Sequence, residues 1–145
     1  MVSPAELIGQ SASVEAPATI ANLGAGYDCL GLAVDLSLRV ELDVVRRDGG
    51  PPVVLAVEGE GEGELSTGRG NRFVEALEAG LRERRLERDA ATAWRITMRN
   101  EIPLARGLGS SGAATVAGLL AAEALAGDLA GALANGEGAQ GRGPS

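Results

Sequence analysis

Residues 102–115 read Ile102-Pro-Leu-Ala-Arg-Gly-Leu-Gly-Ser-Ser-Gly-Ala-Ala-Thr115, and the chain is best entered here. Gly107, Gly109, Ser110, Ser111 and Gly112 lie directly before an alanine-rich run from Ala113 to Ala126. Glycine lets a backbone turn tightly and come close to a ligand. The run that follows predicts a helix, whose first turn presents unpaired N–H groups and the positive end of the helix dipole. A Gly/Ser loop feeding a helix start is an anion cradle, and phosphate is its usual guest. A plain structural cap uses the same residue types, so the stretch alone leaves both readings open.

Two familiar phosphate loops can be tested against the surroundings. Gly107-x-Gly109-x-x-Gly112 fits the dinucleotide fingerprint by letter. That fingerprint needs a strand running straight into its first glycine and a second strand ending on an acidic residue. Here Glu101 to Arg106, including Pro103, separates the preceding strand from Gly107, and no strand leads to Asp128. A Walker A loop is excluded because no Gly-Lys-Ser/Thr is present.

Outward from the loop the pattern mixes strands and helices. Leu38, Val40, Leu42 and Val44 alternate with Arg39, Glu41 and Asp43, and Trp94, Ile96 and Met98 with Arg95, Thr97 and Arg99. Both are the period-2 pattern of half-buried strands. Asp48-Gly49-Gly50-Pro51 predicts a turn, with Pro52 to Val57 returning as the second strand of a hairpin. The acidic glycine repeat Glu58 to Glu64 reads as a solvated loop rather than a cation site. Asn71 opens a helix to about Arg85, with Val74, Leu77 and Leu81 as its buried stripe. The 113–126 helix, with Val116, Leu119, Leu120 and Leu125 among its alanines, is expected to be central and tightly packed. Gly118 would let a neighbour approach. Residues 127–145 are rich in Gly and Ala and are expected to be a disordered or non-native tail.

Composition bounds the chemistry. The chain has 145 residues, a net charge of −7, one cysteine (Cys29) and no histidine. Dispersed acidic charge argues against nucleic acid as a partner. No apolar run reaches membrane-spanning length and the first residues lack the parts of a signal peptide, so a soluble cytoplasmic protein is expected, with no membrane partner. Without histidine the Ser-His-Asp and Cys-His routes to a nucleophile are closed. One cysteine makes neither an internal disulfide nor a structural zinc site. Any chemistry rests on carboxylates, backbone amides, hydroxyls, Asn, Arg and Mg²⁺.

A second glycine-rich element precedes the first. Residues 17–28 read Pro17-Ala-Thr-Ile-Ala-Asn-Leu-Gly-Ala-Gly-Tyr-Asp28, with Asn22 and Asp28 flanking Gly24-Ala25-Gly26. Alone this is an ordinary turn. Followed by Pro103-Leu-Ala-Arg-Gly-Leu-Gly-Ser-Ser111, it resembles the first two signature motifs of the GHMP small-molecule kinases. The resemblance covers residues 12–126. It implies an α+β fold, the N-terminal ATP-binding domain of that family over residues 1–126, with a mixed sheet packed by helices and cut before the C-terminal domain.

The resemblance also implies a reaction: phosphotransfer from ATP, with Mg²⁺, to a small alcohol. The wording of the first motif leans toward members whose acceptor is L-homoserine, in threonine biosynthesis. By the same resemblance Pro103, Leu104, Ala105, Arg106, Gly107, Leu108, Gly109, Ser110, Ser111, Gly112 and Ala113 would surround the nucleotide phosphates, with Ser111 a candidate Mg²⁺ contact. Asn71 would lie near the adenine, and Asn22 and Asp28 would contact the acceptor. No residue is assigned as catalytic, since an ordinary Asp is a weak base near neutral pH and Asp28 suits binding and orientation better. Phosphoryl transfer asks mainly for positioning and charge neutralisation, which such residues supply.

The chain also departs from the family. Position 112 is Gly where the family mostly has Ala. Full-length members, expected to be homodimers, run longer and carry a later acidic metal motif containing histidine, carboxylate-binding arginines and a second domain. The expectation is therefore a truncated or frame-shifted homologue diverging near Asp128 and inactive by itself. A non-catalytic phosphate-binding remnant and a related kinase with another alcohol acceptor are the alternatives.

Overall fold

Apolar alternation sets the sheet. The computed structural model describes residues 4–21, 31–63, 65, 67–68, 70–86, 90–103 and 110–134. The two alternating stretches become β2 (Gly31–Arg46) and β4 (Thr92–Asn100). They pair antiparallel, Leu38 opposite Asn100 and Val44 opposite Trp94. Leu38, Val40, Leu42, Val44, Trp94, Ile96 and Met98 are buried, while Arg39, Glu41, Asp43, Arg95 and Arg99 are exposed. One sheet face therefore carries the core and the other faces water. On the wet face Arg99 sits 3.0 Å from Glu58 and 3.6 Å from Glu41, and Arg39 3.6 Å from Glu15. Such exposed pairs contribute little to stability.

Two further strands complete the sheet, after a short 3₁₀ turn at Pro4–Leu7. β1 (Ser11–Ala21) lies antiparallel to β2, from Ser11 opposite Asp43 to Ala21 opposite Gly31. Its register shifts between Pro17 and Ala18, where proline has no N–H to give to the ladder. β3 (Val53–Gly59) corrects the hairpin expected from the Asp48–Pro51 turn. It pairs not with β2 but parallel to β4, Val53 opposite Trp94 and Gly59 opposite Asn100, giving the order β1-β2-β4-β3. The turn signal holds, since the chain does reverse. Yet a turn dictates only reversal, and β4, with the larger apolar side chains, fills the space between.

Two helices cover the core face. α1 (Arg72–Glu83) buries Val74, Leu77 and Leu81 as expected, together with Phe73, Ala76 and Gly80. α2 (Ser110–Ala134) starts within the Ser-Ser pair and runs beyond Ala126. The added length follows from alanine and leucine in 129–134, which are strong helix formers. α2 lies against α1, β1 and β2.

The packing of α2 corrects the expected central helix. Its buried side is Ala113, Ala114, Ala117, Gly118, Ala121, Ala122 and Leu125, while Val116, Leu119 and Leu120 are 48%, 46% and 40% exposed. Small side chains bring the two helices so close that branched ones do not fit between them. A Cβ on Gly118 would lie 2.5 Å from the Phe73 carbonyl oxygen and 2.6 Å from Ala76 Cβ, and one on Gly80 2.7 Å from Ala122 Cβ. The close approach expected at Gly118 is thus present, on a helix whose Val116, Leu119 and Leu120 face outward. Within the core, Trp94 Nε1 and both amide atoms of Gln10 have no hydrogen-bond partner among the described residues. No helix among the described residues is long and apolar enough to cross a membrane.

Candidate functional site

Strand directions bring the glycine-rich segments to one edge. β1 and β4 both run antiparallel to β2, and β3 runs parallel to β4. The C-terminal ends of β1, β3 and β4 therefore share one edge of the sheet with the N-terminal end of β2. β1 ends there at Ala21, β3 at Gly59 and β4 at Asn100, and β2 begins there at Gly31. Ligands in α/β sheets bind outside the carboxyl ends of strands. Ala16, Leu38 and Asn100 share a row, and Ala21 lies five residues farther along. The β1–β2 pair thus overhangs β4 by roughly 17 Å at the usual strand rise.

Asn71 begins α1 as its N-cap, at φ −70° and ψ 137°. Its Oδ1 accepts from the Phe73 N–H at 2.8 Å, and its Nδ2 donates to Met98 Sδ at 3.8 Å. This cap meets one of the orphan N–H groups of the first turn. The side chain is buried, so its described work is structural.

The passage from β4 to the glycine run is held by residues that sequence reasoning missed. Asn100 is buried and uses its whole amide: Oδ1 accepts from the Ile102 N–H at 3.0 Å, while Nδ2 donates to the carbonyls of Glu60 at 3.1 Å and Ile102 at 3.3 Å. Its own carbonyl accepts from the Glu60 N–H at 2.8 Å. Gly59, at φ +89°, passes so close that a Cβ would collide with that carbonyl. One residue on, the Glu101 N–H donates to the Ser37 carbonyl at 3.0 Å. The Ser37 N–H and Oγ both donate back to Glu101 Oε1, each at 3.1 Å. Asn two residues before Ile102-Pro103 is an Asx-turn signal that could have been read. The Ser37 and Glu60 partners could not, being distant in sequence.

The remaining expected site residues divide into two sets. Pro103 is half-buried, Gly112 is exposed with open space where a Cβ would stand, and Ala113 is buried. Ser110 and Ser111 open α2. Asn22, Asp28, Leu104, Ala105, Arg106, Gly107, Leu108 and Gly109 lie outside the described residues. Among the described residues no group of three His, Cys, Asp or Glu could hold a metal ion. In the acidic glycine repeat, Gly59, Gly61 and Gly63 take positive φ, and Glu60 and Glu62 are exposed.

Known proteins share this arrangement. A homoserine kinase of Corynebacterium urealyticum is 43% identical over 122 residues, covering 84% of this chain and 38% of that one. A homoserine kinase of Corynebacterium diphtheriae is 44% identical over 120 residues, covering 83% and 37%. The crystal structure of homoserine kinase from Cytophaga hutchinsonii superposes with a TM-score of 0.64 at 32% identity, covering 81% of this chain and 36% of that one. The chain thus spans little more than a third of the length of these relatives. The family model for the GHMP kinases N terminal domain matches residues 71–143, past the expected divergence near Asp128. With this match over half its length, the chain belongs to the GHMP kinases and carries sequence of their N-terminal domain.

Proposed function

We propose that this chain is the nucleotide-binding part of a homoserine kinase. In the reaction the hydroxyl oxygen of L-homoserine attacks the γ-phosphorus of ATP and the bond to the ADP oxygen breaks. The hydroxyl proton is released and O-phospho-L-homoserine forms, a step toward threonine. One observation carries the reading: the strand ends that precede the Asn22–Asp28 stretch and the glycine run, Ala21 and Asn100, lie at the same end of the sheet, in a chain 43% identical to a homoserine kinase over 84% of its length.

In this proposal Arg106 to Ala113 wrap the phosphates, and Ser110 and Ser111 stand near phosphate or Mg²⁺, the ion that would neutralise charge on the transferring group. Asn71, by fixing the start of α1, sets one wall near the adenine. Asn22 and Asp28 hold the acceptor, with Asp28 orienting the hydroxyl or ammonium group. These parts act by placement and electrostatics, as phosphoryl transfer requires.

A second reading is favoured by the chain's spanning only 38% of its relative: a module that binds the nucleotide without turning it over. Purified chain with ATP, Mg²⁺ and L-homoserine separates the two. O-phosphohomoserine in the product supports the kinase; ATP binding without product supports the module. Absence of ATP binding defeats both. A panel of competing alcohols tests the acceptor, and preference for another alcohol would move the chain to a sister activity within the family.

A further inference from the structure

We infer that Asn100 and Glu101 are positioning residues for the phosphate loop, acting as a clip that fixes how the chain leaves β4 ahead of the glycine run. The inference rests on the phosphate-binding reading of residues 106–113. β4 ends at Asn100, and α2 begins at Ser110. The exit of the chain from the sheet is made at residues 100–103. Three tethers act there, and each runs to a different part of the site.

The first tether is local. Asn100 Oδ1 takes the Ile102 N–H at 3.0 Å, an Asx turn that bends the chain out of the sheet just before Pro103. Proline at 103 disfavours the helical region for Ile102, so the chain does not coil straight into a helix there. The second tether reaches the segment before α1. Asn100 Nδ2 donates to the Glu60 carbonyl at 3.1 Å, and the Glu60 N–H donates to the Asn100 carbonyl at 2.8 Å. The segment that delivers Asn71 is thereby tied to the segment that delivers Ser110.

The third tether reaches β2. In a continuing antiparallel ladder the Ser37 N–H would donate to the Glu101 carbonyl. Instead it donates to Glu101 Oε1 at 3.1 Å, joined by Ser37 Oγ at the same distance, while the Glu101 N–H still reaches the Ser37 carbonyl at 3.0 Å. The carboxylate takes the place of that carbonyl as acceptor for the Ser37 N–H. It closes the last rung and frees the backbone to leave. Ser37 also stands opposite Pro17, at the register shift of β1, so the clip ties the exit of the glycine run to the strands that bear the Asn22–Asp28 segment. A carboxylate accepting two hydrogen bonds is among the stronger such contacts. Asn100 is 5% exposed and its amide makes all three contacts inward.

The test uses the full chain and two measurements. Amide hydrogen exchange is followed for residues 104–113 and, as the internal reference, for α1 and β4. Affinity for Mg·ATP is measured alongside. In Glu101→Ala the 104–113 amides should exchange about tenfold faster, the scale set by losing hydrogen bonds to a charged acceptor, while α1 and β4 keep their rates. The Mg·ATP dissociation constant should rise by a similar factor. Glu101→Gln, which keeps an Oε1 acceptor, should restore both. Asn100→Asp, which keeps the Asx turn and the backbone bond from the Glu60 N–H but loses the side-chain donor to the Glu60 carbonyl, should accelerate exchange in 60–71 as well. Equal acceleration everywhere would mark a general loss of stability and overturn the inference, as would unchanged exchange in 104–113 or failure of Glu101→Gln to rescue. A parent chain that binds no Mg·ATP refutes the phosphate reading, and the exchange measurement still decides whether the clip acts.

Discussion

Asn71 is held by both ends of its amide, the oxygen on the Phe73 N–H and the nitrogen on Met98 Sδ. Asn71→Ala removes the cap of α1 and should cost about 1 kcal/mol, the usual worth of such a cap; a urea unfolding midpoint equal to the parent's would refute the capping role. Asn71→Asp keeps the cap oxygen and should recover most of the loss. That a helix starts at Asn71 was legible in the sequence, because capping chemistry is settled within a few residues. The long-range contacts of Asn100 and Glu101 were not legible, although the Asx turn at Asn100 was there to be read. Their decisive partners lie 40 residues away at Glu60 and 64 away at Ser37, and no local pattern encodes which carbonyl an amide will find. The glycine run was conspicuous, whereas the residues that hold its near end look unremarkable in sequence.

Elements behaved differently according to whether their pattern or their partners had to be read. β2 and β4 were plain from alternation, since Arg39, Glu41, Arg95 and Arg99 stand exposed between buried neighbours. The partner of β3 was not, because Gly49-Gly50 reports a reversal and is silent on the strand that later slips between. In α2 the apolar residues lie all around the helix, so hydrophobicity does not indicate a face; size does. The small residues turn inward and Val116, Leu119 and Leu120 outward. The α1–α2 contact therefore depends on absent side chains, with a Gly118 Cβ placed 2.5 Å from the Phe73 carbonyl oxygen and 2.9 Å from the Leu77 nitrogen. Gly118→Val should destabilise the chain by about 1–3 kcal/mol or more through overpacking, despite valine's apolar character. Thermal unfolding at or above the parent's temperature would show that the helices separate without cost.

For the whole molecule, a ligand that binds only the folded chain stabilises all of it. Mg·ATP at a hundredfold excess over its dissociation constant should add about 2.7 kcal/mol, raising Tm by several degrees whether or not any phosphoryl group moves. An unshifted Tm at millimolar Mg·ATP would count against a nucleotide site. The sheet order has a further consequence, for the time course of synthesis. Among the described strands β4 is the last to be made, and it is an inner strand of their sheet, flanked by β2 and β3. The β1–β2 pair joins chain neighbours and can close early. β3 finds no partner until residues 92–100 have emerged, and until then its edge and that of β2 stand open. Long-range pairing of this kind slows folding and exposes strand edges to other chains. The nascent chain is thus most vulnerable just before its central strand arrives, and the clip at Asn100 and Glu101 closes only as that window ends.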